Sequence, residues 1–132
     1  MLFRLFCAAL LPVFFSTASA AYPDRPIRLI APFAPGGNID ITARTVAPGL
    51  TEQLGQTVVV ENRGGAGGRI GTEVVAKSAP DGYTLLMISS TIAVTPAAYP
   101  KLPYDVFKDL VPIGLLAQSP FIITVNPNVP AT

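Results

Sequence analysis

The chain has 132 residues, half of them hydrophobic and 13% charged, with a formal net charge of +1. Such a length and composition suit one compact domain and argue against disorder, and the near-neutral balance offers no basic stripe for nucleic acid. There is no histidine, and Cys7 is the only cysteine, which removes the Ser-His-Asp and Cys-His nucleophile systems and the usual transition-metal sites.

The first twenty residues read as a secretory signal peptide: Arg4 as a positive start, Leu5 to Phe15 as an apolar run, and Ala18-Ser19-Ala20 as a small-residue cleavage site. The apolar run is about half the roughly 20 residues that a membrane span needs, and it holds Pro12. Cys7 lies inside it behind Leu5-Phe6, so no lipid anchor is expected, and Ala21 is taken as the mature N-terminus. Removal of the signal takes away Arg4 and no acid, which leaves eight basic and eight acidic residues.

Tyr22 to Pro26 form an extended entry to a short apolar strand, Ile27 to Ala31, of the kind buried in parallel sheets. A Pro- and Gly-rich turn, Pro32 to Gly37, leads to a helix over Ile39 to Leu54. Asn38 is the expected N-cap, Asp40 lies in the first turn, and Gly55 is the C′ residue that ends the helix. Pro48 is expected to kink or divide it. Val58 to Val60 is a second strand, Asn62 to Gly68 a turn with four glycines, and Ile70 to Ala79 a second helix. After the Pro80-Asp81-Gly82 turn come a third strand, Thr84 to Ile88, a polar turn, Ser89-Ser90-Thr91, and a short helix within Ala93 to Ala98. Val111 to Leu116 and Phe121 to Val125 read as two further strands. Strands alternating with helices predict an α/β fold with a mostly parallel sheet and flanking helices.

In open α/β sheets ligands sit off the carboxyl ends of the strands, which singles out three loops. In Pro32 to Asp40, the paired glycines let the backbone approach a ligand, and the following helix aims free N–H groups at the same point, an arrangement suited to an anion. The alternative is a tight strand-to-helix turn with no ligand. Asp40 could orient a water, accept from a ligand donor, or only complement the helix dipole. Ser89, Ser90 and Thr91 offer hydroxyls to a carboxylate or a water, and equally serve as caps or turn residues. The run Gly65-Ala66-Gly67-Gly68-Arg69-Ile70-Gly71 invites a dinucleotide reading but misses G-x-G-x-x-G by one position, and no acid follows the next strand to hold a ribose. The plainer reading is a flexible turn that lets a helix pack closely. Arg44 and Arg63 are the cations nearest the site in sequence, with an i,i+4 ion pair to Asp40 the plainer role for Arg44. Tyr83, Tyr99 and Tyr104 read as packing residues with a wet hydroxyl.

Taken in order, several of these segments resemble one family: Tyr22-Pro23, Arg25-Pro26-Ile27-Arg28, Pro32-Phe33-Ala34-Pro35-Gly36-Gly37-Asn38-Ile39-Asp40, Gln53-Leu54-Gly55-Gln56, Val58 to Arg63, Gly65-Ala66-Gly67-Gly68, Pro80 to Leu86, and Leu102-Pro103-Tyr104-Asp105 through Lys108-Asp109-Leu110. Over residues 22–130 the chain resembles the tripartite tricarboxylate transporter receptors, also called Bug proteins. The resemblance implies a type 2 periplasmic-binding fold of two α/β lobes around a cleft, a periplasmic location, and capture of small carboxylates for a membrane permease or as a sensor. It implies no catalysis, cofactor or metal. It also implies that the loop matching Pro32 to Asp40 holds a ligand carboxylate, partly through water, and that Ser89 to Thr91 face the same cleft. The implied binding residues are Pro35, Gly36, Gly37, Asn38, Asp40, Ser89, Ser90 and Thr91. Two departures stand out: Gly64 occupies a position where the family usually has proline, and family members are much longer. Residues 21–132 therefore read as the N-terminal part of lobe 1 and the start of a crossover, truncated before the second lobe. The competing readings are a Rossmann-like nucleotide-binding enzyme fragment and a receptor fragment without function of its own.

Overall fold

The computed structural model describes residues 21–120, 122–127 and 129. The segment read as a signal peptide, and Phe121 at the head of the last expected strand, lie outside them. Three strands form one sheet: β1 (Ile27–Ala31), β2 (Val58–Asn62) and β3 (Thr84–Leu86), in the order β2-β1-β3. Both pairings are parallel, with Ala31 opposite Asn62 and Ile30 opposite Leu86. Parallel neighbours need crossovers, and helices supply them. Helix α1 (Asn38–Leu54) packs on β1 and β2, and α2 (Arg69–Ala76), preceded by a 3₁₀ turn over Ala66–Gly68, packs on β1 and β3. A third helix, α3 (Thr91–Ala98), follows β3.

The central strand is buried on both faces. Ile27, Leu29, Ile30 and Ala31 are all inaccessible or nearly so, as the uninterrupted apolar run predicts. Ile27 and Leu29 meet Val58, Met87 and the small side chains of Ala43 and Ala47 on α1. Each large side chain fully removed from water contributes about 1.5–3 kcal/mol. The alanines let α1 approach the sheet, while Ile39, Val46, Leu50 and Leu54 pack around them.

Helix α1 begins one residue earlier than expected. Its N-cap is Gly37, with extended φ and ψ and no side-chain cap, so Asn38 is the first helical residue. The carboxylate of Asp40 instead reaches back to the Gly36 N–H of the preceding turn. Gly55 ends the helix in the left-handed region at φ 67° and donates to the Thr51 carbonyl, as expected of a C′ glycine. The helix is not divided at Pro48, which stands on its exposed face. Helix α2 stops at Ala76 rather than Ala79, because Ser78 N–H turns back to the Val75 carbonyl and Pro80 cannot continue the spiral. The third strand is shorter than read, although the Met87 N–H still donates to the Ile30 carbonyl.

The two last expected strands do not form among the described residues. Residues 111–120 carry neither helix nor strand, and Val111, Ile113 and Ile123 are 84%, 83% and 92% exposed. An apolar run makes a strand only when another edge accepts its backbone, and no described strand does so here. No helix among the described residues is long and apolar enough to cross a membrane.

Gly71 fixes how closely α2 approaches the sheet. A methyl at that position would lie 2.6 Å from Pro32 Cβ and 2.7 Å from the Arg63 carbonyl oxygen. Gly71→Ala is therefore expected to cost about 1–3 kcal/mol through overpacking. Gly49, in the interior of α1 with open space around it, gives the contrasting case: Gly49→Ala should stabilise by about 1 kcal/mol. Urea unfolding of the two variants beside the parent checks both signs.

Candidate functional site

Because all three strands run the same way, their carboxyl ends, Ala31, Asn62 and Leu86, lie along one edge of the sheet. Chain progress reverses at β1, since β2 lies on one side of it and β3 on the other. That is the topological switch point where open α/β sheets hold ligands. Three loops leave this edge side by side.

The loop after β1 is a tight turn over Ala34-Pro35-Gly36-Gly37. Proline sits where φ near −60° is wanted, and Gly36 takes φ 80°, the arrangement of a type II turn. The closing bond, from Gly37 N–H to the Ala34 carbonyl, is long at 3.4 Å. The Asp40 side chain secures what that bond leaves loose. It is buried, and its Oδ2 accepts from the Gly36 N–H at 2.8 Å. Its Oδ1 accepts from Arg44 Nε and from Asn62 Nδ2, each at 2.9 Å.

Asn62, the last residue of β2, completes the clamp. Its amide nitrogen also donates to the Phe33 carbonyl at 3.2 Å, and its oxygen accepts from an Arg44 terminal nitrogen at 2.9 Å. The end of β2, the turn after β1 and the first turn of α1 are thus tied through one carboxylate. A buried charge must be met by donors, and among the described residues no buried side-chain polar atom lacks a partner. The Gly36 N–H first, then Arg44 and Asn62, hold the Asp40 carboxyl down at about 2. The Arg44–Asp40 pair expected from the i,i+4 spacing is present, but the acid is buried rather than on the surface. From the sequence, Asn62 reads as the start of a turn and as part of the Val58 to Arg63 segment, with no role at the site. The signal available was an amide at a strand's carboxyl end, which sequence spacing alone does not aim at a helix 22 residues earlier.

With Asp40 turned inward, the helix end remains open. Asn38, Ile39 and Asp40 occupy the first helical positions, whose N–H groups have no carbonyl one turn back to bond. Pro35 and Asn38 are exposed beside them and Gly37 is half-buried. On the far side of β1, the Ser89 and Thr91 hydroxyls bond each other at 2.9 Å, and Ser90 caps α3 by backbone alone, with an exposed side chain. The eight candidate residues therefore fall in two groups, five in the β1–α1 turn and three in the β3–α3 turn, on adjacent strand ends of one edge.

Arg63 serves elsewhere. It joins Arg28 on Glu61, where Arg28 Nε and a terminal nitrogen reach the two carboxylate oxygens at 2.7 and 3.0 Å and Arg63 adds a bond of 3.1 Å. The Arg28 bonds chiefly hold the Glu61 carboxyl down at about 2. Two open concavities of about 530 Å³ each, one beside Ala47, Pro48 and Val58 and one beside Tyr99 and Tyr104, contain none of the eight candidates. The glycine-rich turn before α2 has a packing explanation, since Gly71 seats that helix on Pro32. No group of three His, Cys, Asp or Glu capable of holding a metal occurs among the described residues.

The chain is similar to known proteins. Residues 42–132 match the model of the tripartite tricarboxylate transporter family receptor. The chain is 48% identical to protein BugT of Bordetella pertussis, over 90% of this chain and 39% of BugT. Among solved structures, MatC of Rhodopseudomonas palustris with bound malate is 37% identical with a TM-score of 0.62, over 72% of this chain and 33% of that one. R. palustris Rpa4515 with adipate is 38% identical with a TM-score of 0.61, over 65% and 29%. The chain thus spans about two fifths of the BugT length.

The clamp has a pH signature. Asp40 and Glu61 both titrate lower in the folded chain than as free carboxyls, so their contribution is complete above the ordinary carboxylate range and is lost as pH falls from about 4 toward 2. Unfolding midpoints measured from pH 6 to pH 2 should fall in that window. Asp40→Asn should lower the midpoint at pH 6 and flatten the acid limb relative to the parent.

Proposed function

This chain belongs to the tripartite tricarboxylate transporter receptor family, and from that premise we propose that it captures a small organic carboxylate in the periplasm, for a tripartite-type permease or as a sensor. One observation carries the reading: a helix N-terminus at the switch point of a parallel sheet, held open because its own acid faces inward. Backbone N–H groups and the helix dipole stabilise a carboxylate there without any cationic side chain. The malate and adipate bound by the two relatives of solved structure are both carboxylates, which supports the same class of ligand here.

In this reading the N–H groups of Asn38, Ile39 and Asp40 meet the ligand carboxylate, directly or through water. Pro35 and Gly37 shape the approach, and the hydroxyls of Ser89, Ser90 and Thr91 bound the site from the β3 side. Gly36 and the Asp40 side chain act through the loop, by holding it. The described residues form one wall of the site, and the selectivity belongs to both walls. The process is binding, with no bond made or broken, and export relies on residues 1–20.

Asn38→Pro tests the site without disturbing the helix. Proline is favoured at the first helical position, where its missing N–H has no partner to lose, and Gly37 already has the extended conformation that proline demands of its predecessor. Melting without ligand should stay level or rise. A carboxylate that binds the folded parent raises its midpoint by mass action, by several degrees once its concentration is far above Kd. Loss of one charge-assisted bond should weaken that acid about tenfold in Asn38→Pro. An undiminished shift in the variant would remove the helix end from the site.

A further inference from the structure

Six of the eight basic side chains among the described residues are ion-paired, all but Arg69 and Lys101. Arg25 lies on Asp81, Arg28 and Arg63 on Glu61, Arg44 on Asp40, Lys77 on Glu73 and Lys108 on Asp105. Arg69 is the one arginine among the described residues with no carboxylate within 4.0 Å, and it is not loose. Its guanidinium carbon stands 3.8 Å over the Tyr99 ring centroid, and its Nε donates to the Ala66 carbonyl at 2.9 Å. Stacking fixes the plane, the Nε bond fixes the rotation, and the two terminal nitrogens are left as a forked edge suited to a carboxylate.

The position runs against local electrostatics. Arg69 is the first residue of α2, whose first turn contains no acid, so a fixed cation adds to the positive helix end instead of offsetting it. A local rule broken with no carboxylate to offset the charge is the kind of exception that functional sites carry. The place is also right. Gly68, its neighbour, faces the Phe33 ring of the β1–α1 loop, and Tyr99 ends the helix that starts at Thr91. Arg69, beside Gly68 at the β1–α1 loop, therefore joins that side of the carboxyl edge to the far end of α3.

We propose that Arg69, stacked on Tyr99, binds the second carboxylate of a diacid whose first carboxylate rests on the N-terminus of α1. This rests on the carboxylate reading given above and deepens it: the helix end accepts any carboxylate, and Arg69 selects the diacid. The stack is a positioning device, since a guanidinium held in one plane loses less freedom on binding than a free one.

The test is calorimetric titration of the whole chain with succinate and with butyrate, which share a four-carbon skeleton and differ in the second carboxylate. The parent should prefer succinate. Arg69→Gln should lose about tenfold for succinate and leave butyrate unchanged, and Arg69→Lys, which keeps the charge without the fork, should recover only part of the loss. A merely structural role would move both acids together. Equal weakening of both, or an unchanged succinate-to-butyrate ratio in both variants, overturns the inference and leaves the carboxylate reading standing. A parent that binds neither acid overturns the carboxylate reading and the inference with it.

Discussion

The buried carboxylate of Asp40 is the interaction on which the site depends. Its two oxygens meet three donors, from Gly36, Arg44 and Asn62, that come from a turn, a helix and a strand end. An acid that only complemented a helix dipole would stand in solvent and contribute a few tenths to one kcal/mol. Asp40 instead sits where an unmet charge would be intolerable, so the three elements must keep their relative places for the chain to fold. The same bonds leave the first N–H groups of α1 facing outward with nothing of the protein's own to bond. Structural support and the opening for an anion are two consequences of one side-chain orientation.

Much of this was legible beforehand, and the successes share a cause. The apolar run of β1, the glycine that closes α1 and the glycine at φ 80° in the β1–α1 turn are set by backbone conformation and burial over a few neighbouring residues. Sequence spacing speaks directly to such local demands. The parallel direction of the strands also followed, because a helix between successive strands supplies the crossover that parallel pairing needs.

What escaped were relations between distant residues. Asn62 joins Asp40 across 22 positions, and Arg69 meets Tyr99 across 30. No period or spacing encodes those meetings, which the register of β1 with β2 and the path of α3 create. The strands expected at 111–116 and 121–125 failed for the converse reason: their pattern is apolar, but pairing is a property of two segments. Gly71, by contrast, was legible: its run misses the dinucleotide fingerprint, which leaves a turn that lets a helix pack closely. The contact it permits is with Pro32 of the same chain, a packing demand that produces a glycine.

The most direct test of the account follows individual backbone amides by ¹⁵N–¹H resonance during titration with succinate. If the open end of α1 is the carboxylate site, the amides of Asn38, Ile39 and Asp40 shift together with saturation, and that of Gly36, already bonded to Asp40, moves least within the turn. Saturable shifts elsewhere on the chain, with those three amides unmoved, would contradict the central claim that the inward turn of Asp40 exists to keep this helix end free.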